Sequence, residues 1–137
     1  MSDIRGYPFR LKLSLSELKI LHKISMDQLK RWDKIIESEA EDSLAVEDYQ
    51  YDSLHLNNML DDLEKHLSNT NYDHEVSFSN FQTRILIESI DYELEAWKKG
   101  RSNFTPEEFY ILNQMLTPLK KKAIEEFGEN ALKPLRE

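Results

Sequence analysis

Cysteine is absent from the 137 residues, glycine occurs three times and proline four times. Without cysteine there is no disulfide framework, no thiolate metal site and no cysteine nucleophile. Scarce glycine leaves little material for phosphate-cradling loops or tight two-residue turns, and favours helices joined by few connections. No GxSxG elbow, HExxH motif, P-loop or dinucleotide-binding glycine pattern occurs. No apolar run approaches the ~20 residues that cross a bilayer, and MSDIRGYPFRLKL holds none of signal-peptide length. The expectation is a soluble cytoplasmic protein with no membrane partner. Cations are outnumbered: 18 Lys and Arg face 26 Asp and Glu, for a formal charge of −8. Each contact to nucleic-acid phosphate needs a cation that displaces counterions, so this balance argues against nucleic acid and for a basic partner.

What the chain has in quantity is helical patterning, and it has it twice. KLSLSELKILHKISMDQLKRW, ending at Trp32, aligns with EVSFSNFQTRILIESIDYELEAW, ending at Trp97, at a constant offset of 65 residues. Downstream, the ten residues from Leu56 to Lys65 match those from Leu112 to Lys121 at an offset of 56, so the first copy carries nine more residues between its blocks. Leucine periodicity alone aligns any two amphipathic helices, but these blocks keep their order and include Trp, Asn and Met. The expected fold is mainly α: one domain over 1–137, with about four long helices in two pseudo-repeated hairpins, 11–70 and 75–128. A short extended segment stands ahead of each hairpin. Leu11, Leu13 and Leu15 alternate with polar residues, as Val76 and Phe78 do, and the two segments are placed to pair.

Ser14 with Glu17 and Ser79 with Gln82 have capping-box spacing, so helix 1 begins near Ser14 or Ser16 and helix 3 after Ser79. Helix 1 runs to about Glu37, with Leu18, Leu21, Ile24, Leu29, Trp32, Ile35 and Ile36 as its apolar stripe. Helix 2 spans roughly Asp48 to Ser68, followed by the turn SNTNYDHE. Helix 3 spans Asn80 to Lys99 and stops at Gly100. Thr105-Pro106-Glu107-Glu108 joins an N-cap, a first-turn proline and a capping-box glutamate, so helix 4 starts at Pro106 and continues to Gly128. Pro118 inside it predicts a kink or break between Gln114 and Pro118.

Asp61 with Glu64 and Glu88 with Asp91 are carboxylate pairs at i, i+3, a spacing that puts both members on one side of a helix. They resemble the ExxE, then ExxD pattern of all-α nucleotide pyrophosphohydrolases, with Asp where that pattern begins with Glu. The resemblance covers these four residues. It implies Mg²⁺-dependent hydrolysis of a nucleoside triphosphate with the four as metal ligands. Both pairs lie off the leucine stripes, however, and the competing reading is a solvated face. His22, His55, His66 and His74 contain no i, i+4 pair and read as surface or partly buried histidines rather than ligands. Trp32 and Trp97 read as core rather than as a stacking site.

Residues 35–64 hold ten acidic side chains and not one Lys or Arg. The bland reading is a solvated loop and helix face; the sharper one is a docking surface in which negative charge steers a basic protein and tyrosines supply contact area. The reading adopted is a non-enzymatic protein-binding module without a cofactor or catalytic residues. It inhibits a basic partner, in the manner of an immunity protein, an antitoxin or a phage-encoded anti-defence protein. Its partner face is Glu37, Glu39, Glu41, Asp42, Glu47, Asp48, Tyr49 and Tyr51. The alternatives are the Mg²⁺-dependent hydrolase of Asp61, Glu64, Glu88 and Asp91, and a structural module that homo-oligomerises through an apolar face.

Overall fold

The two alternating segments become strands, and they pair. A computed structural model describes residues 9–38, 44–68 and 73–129. In chain order they form β1 (Phe9–Ser14), α1 (Leu15–Ser38), α2 (Leu44–Leu67), β2 (Asp73–Phe78), α3 (Asn80–Lys98) and α4 (Pro106–Phe127). The protein is thus mainly α, with four helices and one two-stranded antiparallel sheet in which Leu11 stands opposite Val76 and Leu13 opposite His74. Alternation sorts the ribbon into two faces: Leu13, His74, Val76 and Phe78 are buried, while Arg10, Lys12 and Glu75 are exposed. A lone two-stranded ribbon is marginal in water, so its apolar face must pack on something. Here it lies against α1, α2 and α3.

Three helices begin with reciprocal side-chain caps. At α1 the Ser14 N–H donates to Glu17 Oε1 at 2.9 Å and the Glu17 N–H to Ser14 Oγ at 3.2 Å. Ser79 with Gln82 does the same for α3, and Thr105 with Glu108 for α4, where Pro106 occupies the first turn. α3 ends in a Schellman turn: the Gly100 N–H donates to the Trp97 carbonyl at 3.0 Å and the Arg101 N–H to the Ala96 carbonyl at 2.8 Å. Gly100 has φ 71°, a conformation that favours glycine because it has no Cβ to clash. This turn brings Lys99 and Arg101 to the end of α3 that faces α1.

α1 packs along α2 and against α3, and α4 against α3 and α1. One apolar cluster fills the space between them, with Leu18, Leu21, Ile24, Leu56, Met59, Leu63, Ile85, Leu86, Ile90 and Leu112 fully enclosed and Phe78 reaching in from the ribbon. Trp32 is buried and lies 6.3 Å from the Tyr49 ring, whereas Trp97 is half-buried and stacks on Phe109 at 4.6 Å. Both tryptophans serve helix–helix packing.

Three expectations are corrected. α2 starts at Leu44 rather than Asp48, because Val46 is buried and draws the first turn onto the core. β2 starts at Asp73, inside the stretch expected to be a turn. α4 continues through Pro118, so the break, one of the two expected outcomes, does not occur. Pro118 lies on the exposed side, as does Gln114, so water can serve the carbonyl that has lost its donor, while buried Leu112, Leu119 and Ala123 hold both halves to the core.

Lys23 ties α1 to the cap of α4 through a 2.8 Å ion pair with Glu108, both side chains being about one-third exposed or less. The hydrogen bond from Lys23, and after it the Thr105 N–H, hold the Glu108 carboxyl below its ordinary value of 4.5, against desolvation, which pushes it up. A depressed carboxylate adds stability above its unfolded value and loses that contribution as pH falls through the folded one. Glu108→Gln is therefore expected to lower stability by about 0.5–1 kcal/mol at pH 7, a range that allows for solvent screening. Urea titrations of both proteins should converge as the pH drops below 4.5.

Candidate functional site

The acidic segment acquires a shape because most of it is helix. In α2, Val46, Leu56, Met59, Leu60 and Leu63 are buried, and the opposite side carries Glu47, Gln50, Tyr51, Leu54, Asn57, Asn58 and Asp61, all exposed. Glu47, Tyr51, Leu54, Asn58 and Asp61 follow spacings of four, three, four and three, which align them in one stripe. From Glu47 to Asp61 the stripe is about 21 Å long. Tyr51 is 57% and Leu54 59% exposed, among the most accessible large apolar side chains of the described residues. Glu47, Asp48 and Asp61 engage in no ion pair there, so their charge is undiminished.

Tyr51 is also held in place. Its ring meets His55 edge-on at 4.7 Å and Phe81 at 5.8 Å, and His55 stacks on Phe81 at 4.6 Å. This cluster fastens the exposed face of α2 to the first turn of α3. An aromatic ring already fixed by neighbours loses little rotamer entropy on binding, which suits it to be an anchor.

The residues assigned to a partner face divide into three groups. Glu47, Asp48 and Tyr51 are exposed on α2, and Glu37 is exposed at the end of α1. Tyr49 is half-buried against Trp32 and contributes mainly to the core boundary. Glu39, Glu41 and Asp42 lie outside the described residues. Leu54 and Asp61 belong on the face by position, and helical spacing from Glu47 was the signal for them.

The four carboxylates of the hydrolase alternative are not brought together as a metal centre. Glu64 pairs with His22 of α1 at 3.1 Å, and Asp91 pairs with Lys120 of α4 at 3.3 Å. Asp61 is exposed and Glu88 half-buried, and no group of three or more His, Asp or Glu able to hold a metal occurs among the described residues. His66 and His74, eight apart in sequence, do meet: their Nδ1 atoms lie 3.1 Å apart and join the end of α2 to β2. One ring must donate and the other accept in that contact.

No helix of the described residues is long and apolar enough to cross a membrane. Against family models, curated proteins and solved structures the chain finds no match.

Proposed function

We propose that the chain is a small acidic docking protein that binds a basic protein through the exposed face of α2 and inhibits it by covering that partner's own anion-binding surface. The observation that carries this reading is the α2 stripe, in which Glu47 and Asp61, with Asp48 beside it, make no ion pair among the described residues and frame the exposed Tyr51 and Leu54. Each part has a separate job. The carboxylates raise the encounter rate with a positive surface and reject acidic proteins. Tyr51 and Leu54 supply apolar area at the centre, where binding energy concentrates once rim residues exclude water. An immunity protein, an antitoxin or a phage-encoded anti-defence protein would use such a face, with carboxylates standing where the partner would otherwise hold phosphate.

The test is comparative capture. The wild-type chain and a Glu47→Lys, Asp48→Lys, Asp61→Lys variant are immobilised, and the proteins each retains from its source cells are identified by mass spectrometry. The reading requires a basic protein that the wild type holds at low salt and releases by about 0.5 M, where screening is nearly complete within a few ångströms. The variant should not hold it. Identical retained proteins on both would refute the proposal.

A further inference from the structure

A concave surface lies away from the α2 stripe and has the opposite charge. Between α1 and the end of α3 is a cleft of about 500 Å³, walled by Lys30, Arg31 and Lys34 on one side and by Tyr92, Lys99 and Arg101 on the other. Four cations elsewhere in the fold are paired, Arg10 with Glu75 at 3.8 Å, Lys23 with Glu108 at 2.8 Å, Lys98 with Glu95 at 3.4 Å and Lys120 with Asp91 at 3.3 Å, while Lys12, Lys19, Lys65 and Lys121, unpaired among the described residues, line no common cleft with one another. The side chains of Lys30, Lys34, Lys99 and Arg101 make no ion pair or hydrogen bond among the described residues.

Three carboxylates also line the cleft, Asp27, Glu93 and Glu95. Two of them are engaged: Glu93 is buried and accepts from the Ser102 hydroxyl, and Glu95 pairs with Lys98. Asp27, Glu93 and Glu88 act on Arg31, whose guanidinium burial pushes below its ordinary value. The four exposed cations Lys30, Lys34, Lys99 and Arg101 thus outnumber Asp27, the one lining carboxylate without an ion pair or hydrogen bond among the described residues. Lys30 and Lys34 stand four apart on α1, a like-charge spacing that works slightly against the helix. In a chain of charge −8, with acidic side chains to spare, this concentration calls for a ligand.

We propose that the cleft binds a small phosphorylated molecule of nucleotide size bearing two or more negative charges. A single carboxylate would answer one or two of the donors. Linked phosphates offer oxygens on several sides, reaching the Lys30 and Lys34 ammonium groups on α1 and the Arg101 fork on the turn. The volume lies within the range of small-molecule sites. Tyr92 is 52% exposed and carries the Arg31 guanidinium 3.8 Å from its ring centroid, a flat surface against which a base or other planar group can lie. The protein's overall negative charge repels such a ligand at long range, but within a Debye length of about 10 Å the local cations dominate.

Isothermal titration calorimetry with inorganic pyrophosphate and with adenosine 5′-diphosphate, both free of metal, tests this on the full chain. Binding should weaken at least about tenfold in Lys34→Glu, Arg101→Glu, and stay within about twofold in Lys19→Glu, Lys121→Glu, which makes the same charge change elsewhere. Circular dichroism checks each fold, and Lys34→Gln, Arg101→Gln replaces the first variant should it unfold. Tighter binding of the diphosphate than of pyrophosphate, lost in Tyr92→Ala, places the planar group on Tyr92. Equal binding makes the phosphates the whole of the recognised group, and both results support the site. Absence of heat with either probe overturns it. So does equal weakening in both double variants, and so does binding of a single-stranded oligonucleotide alone.

Discussion

Reversing Glu47, Asp48 and Asp61 to lysine together is expected to weaken partner binding by about two orders of magnitude, ~3 kcal/mol, while the fold survives. An exposed ion pair contributes up to about 1 kcal/mol, and reversal replaces each attraction with a repulsion. Three such changes of two charges each also take the net charge from −8 to −2, which removes most of the steering field. The loss should therefore appear in the association rate as well as in the equilibrium. Stability is a separate matter. The three side chains are exposed and free of ion pairs among the described residues, and only Glu47, in the first turn of α2, gains from the helix dipole. The variant should unfold within about 1 kcal/mol of the wild type. Surface plasmon resonance against the captured partner reads the first effect and thermal denaturation the second. A control at the end of α4, Glu125→Lys, Glu126→Lys, Glu129→Lys, makes the same change in net charge on exposed positions away from α2 and should bind far more tightly than the α2 variant.

Phe78→Ala is the substitution with the largest expected effect on folding, a loss of about 3–5 kcal/mol. Phe78 is fully buried at the end of β2, one residue before the Ser79 cap of α3. Removing its ring opens a cavity in the core and weakens the packing of the ribbon on the helices on which it depends. The loss is a large part of the 5–15 kcal/mol that keeps a domain of this size folded. Urea titration should show a lower midpoint with an unchanged slope, since the surface exposed on unfolding barely alters. A shift worth less than about 1 kcal/mol would mean that the ribbon is peripheral to the core.

Local chemistry made parts of this fold readable. Thr105-Pro106-Glu107-Glu108 placed the start of α4 to the residue, because cap, proline and glutamate each act within one turn. Ser79 did the same for α3, and the capping spacing at Ser14 and Ser16 placed α1 to within two residues. The period-2 segments were legible as strands, although their pairing depends on contacts some sixty residues apart. The beginning of α2 was not legible. Leu44, Ala45 and Val46 follow an acidic run that shows no helical periodicity, and the burial of Val46, a tertiary effect, favours helix there.

The candidate site was legible as charge but not as shape. Tyr49 and Tyr51 look alike in sequence, yet two residues of helix turn the chain about 200°, which sets Tyr49 against Trp32 and Tyr51 toward solvent. Leu54 and Asp61 join the face for the same reason. The cationic cleft gave even less warning. Lys30 and Lys34 reach Lys99 and Arg101 only because α1 packs on α3 and the Gly100 turn brings the chain back, and neither local segment looks unusual alone.

The most direct test of the acidic α2 face is the salt dependence of partner affinity, measured from about 50 to 500 mM salt for the wild type and for the Glu47→Lys, Asp48→Lys, Asp61→Lys variant. A docking surface built on these carboxylates predicts steep weakening with salt in the wild type and a nearly flat, weak response in the variant. Equal slopes in the two proteins, or wild-type binding that salt leaves unchanged, would contradict it.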